Sequence, residues 1–167
     1  MRVALPQSFV DLPLAHRGLH DVAEGRIENA MASFHAAIAA GYGIELDIQL
    51  SADGQAMSFH DDTLDRLTSE VGAVRARTAA ELGAIRLKGS SDTIPTFRQV
   101  LEAVAGRVPL LVEIKDQDGA YGAGVGPLEE AVARDLRDYV GDCAVMSFNP
   151  FSVEAMQALL PDVPRGI

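Results

Sequence analysis

A chain of 167 residues that is 48% hydrophobic is long enough for one domain with a real core. Its net charge of −10, with Lys88 and Lys115 as its only lysines, argues against broad nucleic-acid binding, yet leaves room for a small anion focused in one cleft. No apolar stretch reaches the roughly eighteen residues of a membrane span, and the single Cys143 excludes an intramolecular disulfide, so a cytoplasmic protein is expected.

The segment from Met1 to Leu14 lacks a long apolar core and a small-residue cleavage pattern, and reads as the start of the mature chain. An apolar run from Leu12 to His16 precedes a helical pattern from Asn29 to Ala40, which Asn29 can cap and Gly41 can end. Two further runs follow, Gly43 to Leu50 and Gln55 to His60. Only nine residues separate Asp47 from Met57, and they include the turn signal Ser51-Ala52-Asp53-Gly54, so no helix fits there. If Glu45 and His60 share one end of the sheet, the chain must return in extended form. Residues 61–94 exceed a usual strand-to-helix loop and could cover a site, with a short helix near Ala79 to Leu82 started by Thr78 and Glu81. Thr96 with Gln99 forms a capping box before the stripe from Phe97 to Val104. An apolar run from Val108 to Lys115 then leads to the Gly-rich stretch from Gly119 to Gly126, which lacks GxGxxG spacing and is expected to be a mobile loop. Pro127 and Gly141 bracket the next helix, and a run from Cys143 to Phe148 precedes a last helical pattern from Phe151 to Leu160. This alternation predicts an α/β fold of parallel strands joined by amphipathic outer-layer helices in a single domain, residues 1–167.

Strand residues two apart point the same way, so Glu45 and Asp47 share a face while Ile44, Leu46 and Ile48 take the other. Glu113 and Lys115 repeat that geometry against Val112 and Ile114, and His60 alternates with Phe59. Carboxylates gathered in a partly dry cavity repel unless a cation neutralises them. Glu45, Asp47 and Glu113 suit a hard divalent ion such as Ca²⁺ or Mg²⁺, which takes oxygen ligands and keeps positions open for water and phosphate oxygen. Phosphodiester cleavage needs a proton taken from the nucleophile, another given to the leaving alkoxide, and charge stabilisation at the phosphoryl oxygens. His16 and His60 are the candidates for the proton transfers, and Arg17 and Lys115 for holding the phosphate.

Taken together, His16-Arg17-Gly18, Glu28-Asn29, Glu45-Leu46-Asp47, Asp53-Gly54, His60-Asp61 with Leu64 and Arg66, Ile94-Pro95-Thr96 and Val112-Glu113-Ile114-Lys115 resemble the glycerophosphodiester phosphodiesterase family. The resemblance implies a TIM-type (β/α)8 barrel, a divalent metal on Glu45, Asp47 and Glu113, and a histidine pair at His16 and His60. It implies hydrolysis of glycerophosphodiesters, such as deacylated phospholipids, to glycerol 3-phosphate and an alcohol, and places 61–94 as an insertion over the active-site mouth. Ser147-Phe148 resembles the family's next strand and Pro164-Arg165-Gly166-Ile167 the opening of another. A full barrel of this kind takes about 250 residues, so five to six of its strands are expected here. Ala30 stands where the family commonly has Thr, which removes one loop hydroxyl.

Plainer roles are open to the same residues. Glu45 and Asp47 could form salt bridges with Arg17 or Arg66, Glu113 and Lys115 could be a buried ion pair, and Asn29 could serve as a helix cap rather than a supporting site residue. His20 and His35 read as surface or packing residues, Ser147 as a filling side chain with no G-x-S-x-G around it, and Cys143 as a small core residue. Two other functions compete: a catalytically silent partial barrel serving binding or assembly, with unpaired strand edges that invite self-association, and a related phospholipase of the same superfamily.

Overall fold

In a computed structural model, residues 3–167 are described, and the expected start at Met1 lies outside them. Five strands lie parallel in the order β1-β2-β4-β5-β6: β1 (Leu14–His16), β2 (Gly43–Leu50), β4 (Leu110–Ile114), β5 (Cys143–Met146) and β6 (Arg165–Gly166). β3 (Ala56–Ser58) runs antiparallel to β2 and continues the edge on which β1 pairs earlier along β2. The run from Gln55 to His60 is therefore not another parallel strand. The backbone N–H of Ser51 donates to the Gln55 carbonyl at 3.0 Å, closing the tight turn that its sequence signals and turning the chain back without a helix.

The connecting helices are α2 (Met31–Ala40), α4 (Phe97–Val104), α5 (Pro127–Leu136) and α6 (Pro150–Leu159), with the short α1 (Ser8–Asp11) before the sheet and α3 (Ala79–Ala84) in the long connection after β3. Both predicted capping boxes form, Thr78 with Glu81 at α3 and Thr96 with Gln99 at α4. One predicted cap does not. Ala30 occupies the N-cap position of α2 without a side-chain bond, and Asn29 turns its side chain elsewhere. α5 also stops at Leu136, short of the bracketing Gly141.

Ile44, Leu46, Ile48, Leu110, Val112 and Ile114 project from β2 and β4 into a core with Phe34, Phe97, Val100 and Val132 of the helices. Each such side chain contributes about 1.5–3 kcal/mol by leaving water. Strand alternation then sends Glu45, Asp47, Gln49 and Glu113 to the opposite face. A second, smaller core joins Ile27, Met57 and Phe59 to Leu64, Val74, Leu82, Leu87 and Ile94, so residues 61–94 pack around apolar side chains of their own. This architecture is that of a partial TIM-type barrel.

The stretch from Gly119 to Gly126 is cross-strapped. Asp116 accepts from the N–H groups of Gly119 and Tyr121, Asp118 from those of Gly122 and Gly124, and Asn149 Nδ2 donates to the Gly122 carbonyl at 2.9 Å.

Candidate active site

Parallel register brings the polar face together at the carboxyl ends of the strands. His16 lies opposite Glu45 across β1 and β2, and Asp47 opposite Glu113 across β2 and β4. The carboxylates of Glu45, Asp47 and Glu113 each present an oxygen within 4.8 Å of the others, and all three residues are buried. Burial, then the charge of Asp47 and more weakly that of Glu113, raises the Glu45 carboxyl to about 7. Its neighbours thus tend to keep it protonated near neutrality, and a cation among the three would hold it ionised. Three hard oxygen donors with that unmet electrostatic demand fit a divalent ion of the Ca²⁺ or Mg²⁺ kind.

Two cations border the cluster. Lys115 Nζ lies 2.7 Å from Glu113 Oε1 and 3.4 Å from Asp47 Oδ1. Burial alone would lower the Lys115 ammonium, but its hydrogen bond to Glu113 and the charge of Asp47 outweigh it and hold the group above its ordinary value. Arg17 donates its backbone N–H to Glu45 Oε2 at 2.9 Å, and its Nε stands 3.4 Å from Asp47 Oδ2. That Nε is buried and lacks a hydrogen-bond partner.

Asn29 is tied to the cluster rather than to the helix end. Its Nδ2 donates to Asp47 Oδ2 at 2.8 Å and its Oδ1 accepts from the Asp47 backbone N–H at 3.0 Å, so the two residues bind each other twice. His16 Nε2 lies 3.9 Å from Glu45 Oε2 with its side chain 70% exposed, whereas His60 is more enclosed and pairs Nδ1 with Asp61 Oδ1 at 2.7 Å. A cavity of about 190 Å³ opens beside Glu113 and Lys115, walled by Asp62, Asp116, Tyr121 and Phe148. His20 and His35 are exposed, and the Ser147 hydroxyl donates to the Ile114 carbonyl at 2.7 Å.

These contacts join seven of the eight expected site residues, and His60 follows Phe59, whose backbone N–H donates to the Asp47 carbonyl at 3.0 Å. Sequence reasoning placed Glu28 and Asp61 only in motifs, and offered Arg66 as a partner of Glu45 or Asp47, whereas Arg66 pairs with Glu28 and Asp61 instead. Glu28 accepts from Arg17 Nη1 at 2.9 Å and from both terminal nitrogens of Arg66, at 3.0 and 2.7 Å. Asp61 receives Arg66 Nε at 2.6 Å and Nη2 at 2.8 Å. Glu28 and Arg66 are thirty-eight positions apart, a distance no local pattern spans.

The model of the glycerophosphoryl diester phosphodiesterase family matches residues 16–167. A glycerophosphodiester phosphodiesterase of Caldanaerobacter subterraneus subsp. tengcongensis is 31% identical over 166 residues, covering 93% of this chain and 65% of the relative. One of Bacillus altitudinis is 31% identical over 92% of this chain and 64% of its own length. Among solved structures, an Oleispira antarctica phosphodiesterase in complex with the product sn-glycerol-3-phosphate superposes with a TM-score of 0.81 at 29% identity, over 95% of this chain and 67% of that one. The glycerophosphodiester phosphodiesterase of Agrobacterium tumefaciens gives a TM-score of 0.75 at 27% identity, over 92% and 65%. The chain thus spans about 65% of the length of the curated relatives it matches first. With its family model matched from the first candidate histidine to the last residue, the chain belongs to the glycerophosphoryl diester phosphodiesterase family.

Proposed function

We propose that this rim hydrolyses glycerophosphodiesters to glycerol 3-phosphate and an alcohol. The observation that carries the reading is the convergence of Glu45, Asp47 and Glu113, with oxygens within 4.8 Å, beside His16 and the two cations Arg17 and Lys115. Glu45, Asp47 and Glu113 would hold a divalent ion, Ca²⁺ or Mg²⁺. When bound, such an ion supplies Lewis acidity to the phosphoryl oxygens and lowers the proton affinity of an attacking hydroxyl.

The chain's own groups do the rest. Lys115 and Arg17 neutralise phosphoryl charge, and the buried Arg17 Nε, 3.4 Å from Asp47 Oδ2, keeps the guanidinium beside the carboxylate cluster. His16 and His60 move the protons: one removes a proton from the attacking hydroxyl as its oxygen bonds to phosphorus, and the other protonates the alcohol oxygen as its bond to phosphorus breaks. Asn29 keeps the Asp47 carboxylate aimed at the centre through two hydrogen bonds. Residues 61–94 form an insertion that covers the mouth of the site. The single Cys143, buried and unpaired, fits a reducing cytoplasmic setting. Among the described residues no helix is long and apolar enough to cross a membrane.

The test is conversion of glycerophosphocholine to glycerol 3-phosphate followed by phosphorus NMR, with intact phosphatidylcholine as the competing substrate. Turnover of the deacylated compound alone is expected, abolished by chelator and lowered about 10²–10⁴-fold by His60→Ala. Activity indifferent to both treatments contradicts the reading, and cleavage of only the intact lipid assigns a phospholipase instead.

A further inference from the structure

Between His60 and Arg17 runs an unbroken series of charge-assisted hydrogen bonds that never touches the carboxylate cluster until its last member. The His60 ring bonds Asp61, Asp61 takes two bonds from Arg66, Arg66 gives two to Glu28, and Glu28 takes one from Arg17. We propose that Arg66 is a positioning residue, which fixes the proton-transfer imidazole and the phosphate-binding guanidinium in one mutual geometry. Its kinetic consequence rests on the phosphodiesterase reading above, while its geometric consequence does not.

Three observations support this role. First, the planar fork of Arg66 is fully used, with Nε and both terminal nitrogens each on a carboxylate oxygen, a pattern that sets orientation as well as charge. Second, Arg66 is itself held: Lys88 Nζ donates to the carbonyls of Asp65 and Arg66 at 2.8 and 3.2 Å, and Leu64 and Leu87 on either side belong to the second apolar core. Third, Asp61 meets Nδ1 of His60, and a carboxylate there fixes that nitrogen as the protonated one and leaves Nε2 as the acceptor. Without Arg66, Asp61 is free to turn, and Glu28 keeps only its bond to Arg17. Residues 61–94 would then contribute to chemistry as well as to cover, because the clamp between the His60 loop and the Glu28 loop is theirs.

The test reads the His60 ring directly. In ¹⁵N-labelled protein at about pH 8, where an ordinary imidazole is neutral, the His60 signals are identified by their loss in His60→Gln. Wild type is expected to show one tautomer with the proton on Nδ1, and Arg66→Ala a mixture of two. In the turnover assay Arg66→Ala is expected to lower kcat about 10–100-fold, the usual scale for a partner that orients an active group. Guanidinium ion, at concentrations that leave the chain folded, should recover part of that loss, whereas Arg66→Lys, which cannot fork onto two carboxylates, stays low. A single unchanged tautomer in Arg66→Ala overturns the proposal, as does a kcat loss that guanidinium does not relieve. Should wild type hydrolyse no phosphodiester at all, the functional reading fails while the tautomer measurement still decides whether Arg66 positions His60.

Discussion

Arg17 and Asn29 both hold left-handed backbone, with φ of 58° and 56°, and the Asn29 N–H donates to the Arg17 carbonyl at 2.9 Å. Strain of this kind in residues other than glycine persists where the surroundings enforce it. Here the enforcement comes from Asp47, which binds Asn29 through both its backbone and its carboxylate. Asn29→Ala leaves the buried Asp47 N–H without its partner, removes one hydrogen bond from the Asp47 carboxylate, and is expected to cost about 1–3 kcal/mol in urea denaturation. A loss under about 0.5 kcal/mol would make Asn29 dispensable. Charge at the residue scale also has a pH signature. Hydrogen bonding to Arg66 pulls Glu28 down to about 2 from 4.5 against opposing burial, with Arg17 adding to it, and likewise pulls Asp61 down to about 2 from 3.8. Both carboxylates are ionised more readily folded than unfolded. Their stabilising contribution is whole above their ordinary values and is lost as pH falls toward about 2. The stability difference between wild type and Arg66→Met should therefore shrink from about pH 5 to about pH 2, as followed by urea titration at each pH. A difference that stays constant across that range would show that Arg66 does not depress these groups.

At the scale of elements, the end of β1 illustrates how a strand delivers a side chain. Gly18 follows His16 and Arg17 at φ 79°, and a Cβ placed on it would lie 2.5 Å from the Ser33 Oγ of α2. Gly18→Ala therefore meets both a disfavoured backbone and a packed helix. It is expected to cost about 1–3 kcal/mol and to loosen the Arg17 N–H that reaches Glu45, visible as lower thermal stability and weaker metal binding together. Wild-type values for both would mean that the turn tolerates a side chain. The inward carboxylates of β2 and β4 were legible because strand alternation needs no tertiary information. The tight turn before β3 was legible in Ser51-Ala52-Asp53-Gly54, but the antiparallel course of β3 was not. The start of α2 was not: Asn29 has the chemistry of a cap, but Asp47, eighteen residues on, offers its side chain two bonds against the one a cap would make. The Glu28 and Arg66 pairing was hidden for the same reason, since it exists only once residues 61–94 fold around Leu64 and Leu87.

Over the whole molecule, the sheet divides labour between its faces. Aliphatic residues of β2 and β4 pack the helices, while the opposite face gathers Glu45, Asp47 and Glu113 with His16, Arg17 and Lys115. Family membership and fold follow from a match spanning residues 16–167, and the chain reaches about 65% of the length of its first curated relatives. Within that span the polar face carries three carboxylates, all from β2 and β4, that could hold a metal ion. Calorimetric titration of the metal-free chain with Mg²⁺ and with Ca²⁺ tests this most directly. One saturable site per chain is expected for at least one of the two ions. Glu113→Gln should weaken it by more than about tenfold, the lower end of what outer partners alone contribute. Absence of saturable binding of either ion, or binding that survives Glu45→Gln, Asp47→Asn and Glu113→Gln alike, would contradict a metal centre on this face.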